Sequence, residues 1–135
     1  EVIMFTKKSM FEWFKNTKSN YKEEDFLKIY IDFPRSELLK RINIRAKKMI
    51  NKGAILETKK FLKLKVHESK SANKAIGIHE IREYLDKIIK IDDVIEKISI
   101  KTRQYAKRQT TWARGNMKDW NKIDPNTLNI FLKKI

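Results

Sequence analysis

Cysteine is absent from the 135-residue chain. That excludes a disulfide scaffold, a thiolate nucleophile and a cysteine-based zinc site. Glycine occurs three times and proline twice, and with so few breakers the chain is expected to be mostly helical. No apolar run approaches the roughly 18 residues of a membrane span. No secretory signal pattern is visible either, so a cytoplasmic protein without membrane contact is expected. Acidic side chains are scarce: 17 Asp and Glu stand against 32 Lys and Arg, a formal net charge of +15. Such an excess attracts polyanions, either nucleic acid or an anionic surface. The predominance of Lys over Arg and the abundance of Ile also fit a low-GC genome, which would produce part of the same excess. Hydrophobic residues make up 41%, enough for one region over 1–135 with a modest core. The chain begins at Glu1, and Glu1-Val-Ile-Met-Phe5 reads as the tail of an element already under way. A processed chain or a fragment is therefore expected.

The pattern of the remaining residues predicts the elements. Ser9 and Glu12 have capping-box spacing, and a short helix over Met10 to Phe14 should follow. Residues 16–25 are polar and read as a loop. Ile29, Ile31 and Phe33 alternate with Lys28, Tyr30 and Asp32, the signature of a strand, and Pro34 ends it. Ser36 can cap a helix to about Asn51, with Leu38, Leu39, Ile42, Met49 and Ile50 as its apolar stripe. Gly53 sits where a left-handed C-cap belongs. Further helices are expected over Ile55 to Leu64, over Ile78 to Lys90 with Ile81, Leu85, Ile88 and Ile89 buried, and over Val94 to Arg114 before Gly115. Asp93 and Glu96 form a second capping-box pattern at the start of the last of these. Residues 119–124 suit a short edge strand, and Pro125 opens a final helix over 126–134. A lone strand cannot make a sheet, so the apolar face of residues 29–33 calls for partner strands missing from this chain.

The long helix carries the clearest chemistry. Arg103, Lys107, Thr110 and Arg114 are spaced by four, three and four, which places them on one helical face. Ile95, Ile98, Thr102, Tyr105 and Trp112 fall on another, expected to pack. Stacked cations repel one another unless an anion lies beside them, and the arginine fork suits phosphate. A solvated basic face is the alternative. Arg41 and Arg45 stand one turn apart, paired either with an anion or with Glu37, four residues before Arg41. Gly77, just ahead of a helix start, allows close approach of an anion to the first-turn amides, or serves as a plain turn. His67 and His79 lack companion ligands, so no metal site is expected. Trp13, Trp112 and Trp120 are expected to pack rather than to form a base-stacking platform. No G-x-x-x-x-G-K-[ST] loop and no catalytic triad is present.

Four segments, in order, resemble the bacterial tRNA dimethylallyltransferases, also called isopentenyl transferases. They are Glu1 to Ser9, Arg35 to Arg45 continuing through Met49, Gly53 and Glu57, Lys74-Ala-Ile-Gly-Ile-His-Glu80 with Tyr84-Leu85, and Thr102-Arg-Gln-Tyr-Ala-Lys-Arg-Gln-Thr-Thr-Trp-Ala-Arg114. The last is similar to the family run TRQ-x-AKRQ-x-TW-x-R. The resemblance implies the C-terminal part of a P-loop-type α/β transferase core, mainly α with one or two strands and incomplete as it stands. It implies transfer of a dimethylallyl group from dimethylallyl diphosphate to the exocyclic amine of the adenine beside the anticodon, a base flipped out of its stack. By the same resemblance Arg41 belongs to the diphosphate end. Lys74, Gly77, His79, Arg103, Lys107, Arg108, Gln109, Thr110, Thr111, Trp112 and Arg114 belong to the tRNA side. The family's P-loop, its Mg²⁺ and its assisting Asp have no counterpart in residues 1–135. The chain also departs from the family at Ile78, where a Tyr is usual, and at Ala113, where a bulky residue is usual. One half of a split enzyme completed by a separate P-loop half, a non-catalytic RNA-binding module and an inactive remnant are the readings that follow.

Overall fold

A computed structural model describes residues 2–134 of the chain. The N-terminal stretch forms two short helices, α1 (Val2–Thr6) and α2 (Met10–Asn16). The capping box at the start of α2 is present as expected: the Glu12 amide donates to Ser9 Oγ at 3.2 Å, and the Ser9 amide donates to Glu12 Oε2 at 2.7 Å. A 3₁₀ turn at Glu23–Asp25 interrupts the polar loop. Strand β1 (Ile29–Ile31) follows, then α3 (Arg35–Met49), a π-type turn (Ile50–Ala54) and α4 (Ile55–Lys63). After a second 3₁₀ turn at Ser71–Lys74 come α5 (Ile78–Leu85), the long α6 (Ile91–Asn116), β2 (Asn121–Ile123) and α7 (Leu128–Leu132).

The core lies where α3, α5 and α6 meet. Ala46, Ile50, Ala54, Ile81, Val94 and Ile98 are buried together, with Met49, Tyr84, Leu85 and Ile89 packed around them. α3 owes this to apolar residues every three to four positions, which form one stripe on its surface. Its start differs from expectation. Pro34, with φ fixed at −53°, precedes the first helical residue, and Ser36 lies inside the helix. Gly53 has φ +103° and breaks the helical backbone, but the chain turns through it directly into α4.

Two other ends depart from the sequence pattern. α5 stops at Leu85, five residues short, in a Schellman motif: the Ile88 amide donates to Glu83 O at 2.9 Å and the Lys87 amide to Tyr84 O at 3.0 Å. Lys87 takes the left-handed position, φ +60°, usually held by glycine. Ile88, expected to be buried, is turned outward and is 69% exposed. α6 begins at Ile91, so Asp93 is its third residue and not its cap. Its carboxylate accepts from the Lys90 amide at 2.9 Å.

The expectation that β1 has no partner in the chain is corrected. β2 pairs with it in parallel, Tyr30 opposite Lys122 and Ile31 opposite Ile123, across the whole α3–α6 crossover. Among the described residues the sheet has these two strands, which leaves much apolar surface uncovered. Val2, Ile3, Phe5, Phe11, Phe14, Tyr21, Phe26 and Ile31 are all exposed, and α1 and α2 bury no residue. Limited proteolysis of the isolated chain is expected to cut within residues 2–27 first and to leave a resistant piece containing α3 to α6, because local opening is easiest where few contacts hold the backbone. Mass spectrometry of the early fragments checks this, and first cuts inside α6 would contradict it.

Candidate nucleic-acid interface

α6 places its cations as the spacing requires. Arg103, Lys107 and Arg114 are exposed along one side, and Val94, Ile98 and Ala113 are buried on another. Among the described residues none of Arg103, Lys107, Arg108 and Arg114 forms an ion pair; the four pairs present join other side chains. The hydroxyl in the column is half-buried and occupied in part: Thr110 Oγ1 donates to Ala106 O at 3.1 Å, and Thr111 Oγ1 donates to Lys107 O at 3.0 Å. Both keep lone pairs that can accept from a ligand. Arg108 lies over the Tyr105 ring, 5.7 Å from its centroid, and Gln109 is exposed.

Tyr105 and Trp112, expected to pack, are 50% and 58% exposed. They lie on the C-terminal half of α6, beyond the core contacts made by Val94 and Ile98, so nothing among the described residues covers that side. Trp13 is likewise exposed, while Trp120 is half-buried. Arg114 lines a small pocket of about 170 Å³ with Tyr30, Asp32, Ala113, Met117, Lys118 and Lys122.

The segment 74–79 is brought against α6. Gly77 has φ +110°, a backbone conformation that L side chains rarely adopt, and a Cβ built there would lie 3.4 Å from Met49 Cε and 3.7 Å from Ile98 Cδ1. Lys74 and His79 are exposed on either side of it, and Ile78 is half-buried. The tie that fixes this arrangement is Glu80, which the sequence reading did not single out. Its side chain is buried, its Oε2 accepts from the Gly77 amide at 2.9 Å, and its Oε1 has no hydrogen-bond partner apart from the charge contact with the Lys101 ammonium of α6. Burial pushes the Glu80 carboxyl up, but Lys101 and the amides of Glu80 and Gly77 outweigh that and hold it below its ordinary 4.5. The G-x-x-E spacing of a cap was the available signal for half of this tie. Lys101 could not be paired with Glu80 from local spacing. A second bridge, Lys97 Nζ to Glu83 Oε2 at 2.8 Å, joins the same two helices.

Arg41 is exposed on α3 with its guanidinium 4.6 Å from the Phe33 ring centroid. It makes no ion pair with Glu37. With Ile44, Arg45, Lys48, Met49 and Lys52 it lines an open groove.

The IPP transferase family model matches residues 1–116. The chain belongs to the IPP transferase family. It is 50% identical over all 135 residues to the tRNA dimethylallyltransferase of Pelagibacter ubique, covering 43% of that protein. It is 39% identical over 125 residues to the tRNA dimethylallyltransferase of Wolbachia pipientis, covering 41% of it. Among solved structures it is similar to the tRNA isopentenylpyrophosphate transferase of Bacillus halodurans, at 33% identity with a TM-score of 0.66 over 84% of this chain and 36% of that one. The corresponding enzyme of Staphylococcus epidermidis matches at 28% identity with a TM-score of 0.69 over 93% of this chain and 41% of that one. The chain thus spans about two-fifths of the length of the curated relatives it matches. Within the IPP transferase fold it is a partial core, mostly helical, with a two-stranded parallel sheet. No helix among the described residues is long and apolar enough to cross a membrane.

Proposed function

We propose that the chain is the tRNA-facing, C-terminal part of a tRNA dimethylallyltransferase, and that it requires a P-loop half to catalyse transfer. The observation that carries this reading is the exposed column Arg103, Lys107 and Arg114 within the run 102–114, without an ion pair among the described residues. Phosphates beside such a column relieve the mutual repulsion of its cations and accept bidentate bonds from arginine. In this reading Lys107, Arg108, Gln109, Thr110, Thr111, Trp112 and Arg114 face the anticodon arm. Lys74, Gly77 and His79 contact it from the neighbouring turn, which Glu80 holds in place.

The reaction is a substitution. The exocyclic amine of adenine attacks C1 of dimethylallyl diphosphate, the C1–O bond breaks with its electron pair on the leaving diphosphate, and the amine loses a proton to a base. Arg41, steadied by Phe33, is assigned to the diphosphate end. The P-loop and the base come from the complementary half. Any Mg²⁺ site is assigned to that half as well. The exposed apolar residues between Val2 and Ile31 are the surface that half would cover. Salt dependence tests the tRNA side separately from the chemistry. Binding of an anticodon stem-loop is expected to weaken with salt at a log–log slope of about −2 or steeper, for at least three phosphate contacts. A slope near zero would remove the reading.

A further inference from the structure

We propose that the edge formed by Arg45 and Lys48 of α3 and Lys52 of the π-type turn that continues it is a second contact for the RNA backbone, separate from the α6 face. The proposal rests on the tRNA reading above. α3 turns Ile42, Ala46 and Ile50 into the core. Arg41, Arg45, Lys48 and Lys52 are spaced by four, three and four, the same repeat as the α6 column, and so form one row along a flank. With Ile44 and Met49 they line an open groove of about 370 Å³ that no carboxylate enters. Among the described residues none of the four is in an ion pair. Arg41 is engaged with Phe33 and assigned to the diphosphate, which leaves three cations free.

Those three span about 10 Å at 1.5 Å per helical residue. One strand of a duplex carries a charge roughly every 3.4 Å along its axis, so the row matches about three phosphates. Like charges one turn apart repel in the free chain, and a polyanion along the groove removes that repulsion. The other flank supplies the contrast: Lys40 and Lys47 are also exposed but lie outside this groove.

The experiment measures binding of an anticodon stem-loop RNA by the full chain at several salt concentrations. The unaltered chain is compared with the pair Lys48→Ala with Lys52→Ala and the pair Lys40→Ala with Lys47→Ala. Both pairs remove two exposed charges, and far-UV circular dichroism confirms unchanged helix content. The groove pair is expected to reduce the salt slope by about 1.5 and the affinity at 0.1 M salt by roughly 40-fold. The flank pair should change the slope by less than half as much. Equal effects of the two pairs would overturn the proposal, because the net charge alone would then account for binding. So would binding of inorganic pyrophosphate that the groove pair abolishes while leaving RNA binding unchanged, since the groove would then hold a small anion instead. If the unaltered chain shows no salt-dependent binding, the tRNA reading fails and this proposal with it; if it binds normally and the two pairs behave alike, only this proposal fails.

Discussion

Replacing Arg103 and Lys107 together by Glu is expected to weaken binding of an anticodon stem-loop by roughly a thousandfold at 0.1 M salt. Each neutralised phosphate contributes about 0.7 to 0.9 to the salt slope, which near 0.1 M is close to a tenfold change in affinity. Two reversals remove two attractions and add two repulsions. Both side chains are exposed and, among the described residues, outside every ion pair, so the fold loses no ion pair there on their account. Fluorescence anisotropy checks the loss of affinity, with circular dichroism as control for folding. A loss of less than tenfold would mean that this face of α6 does not meet the phosphates.

Glu80→Ala is expected to destabilise the chain by about 1–3 kcal/mol. The buried Gly77 amide loses its acceptor, the one side-chain bond that caps α5, which costs about 1–3 kcal/mol. Lys101 also loses its partner, but it is partly exposed and water recovers most of that loss. The same carboxylate makes the fold acid-sensitive. Its folded-state pKa lies below its ordinary value, so its contribution is fully present above about pH 4.5 and is lost as pH falls through the folded value. Glu80→Gln keeps an oxygen for the Gly77 amide and should flatten this part of the acid profile at a smaller cost. Urea titrations from pH 7 to pH 3 measure both effects. A Gln variant as acid-sensitive as the parent would place the sensitivity elsewhere.

Where one residue's chemistry settles the local structure, the fold was legible. The Ser9–Glu12 box, the presence of β1, the stripe of α3 and most of the length of α6 follow from short spacings. The end of α5 was not, because Lys87 adopts a left-handed conformation that pattern reading reserves for glycine. The pairing of β1 with β2 joins residues some ninety positions apart, and only the packing of α3 to α6 brings them together. In the interface, the cationic column is a property of one helix and could be read directly. The Glu80–Lys101 tie joins two helices and could not. Tyr105 and Trp112 were misplaced for a related reason: periodicity identifies an amphipathic face but says nothing about whether its partner is in the same chain.

That last point leads to the central claim, that this chain supplies the tRNA side of a transferase and depends on a P-loop half for the chemistry. The direct measurement is prenyl transfer from dimethylallyl diphosphate to an anticodon stem-loop in the presence of Mg²⁺. It is run with this chain alone, and with the chain mixed with the part of the Pelagibacter ubique relative that it does not match. The account predicts turnover in the mixture and none with the chain alone; turnover by the chain alone, or in neither reaction, would contradict it.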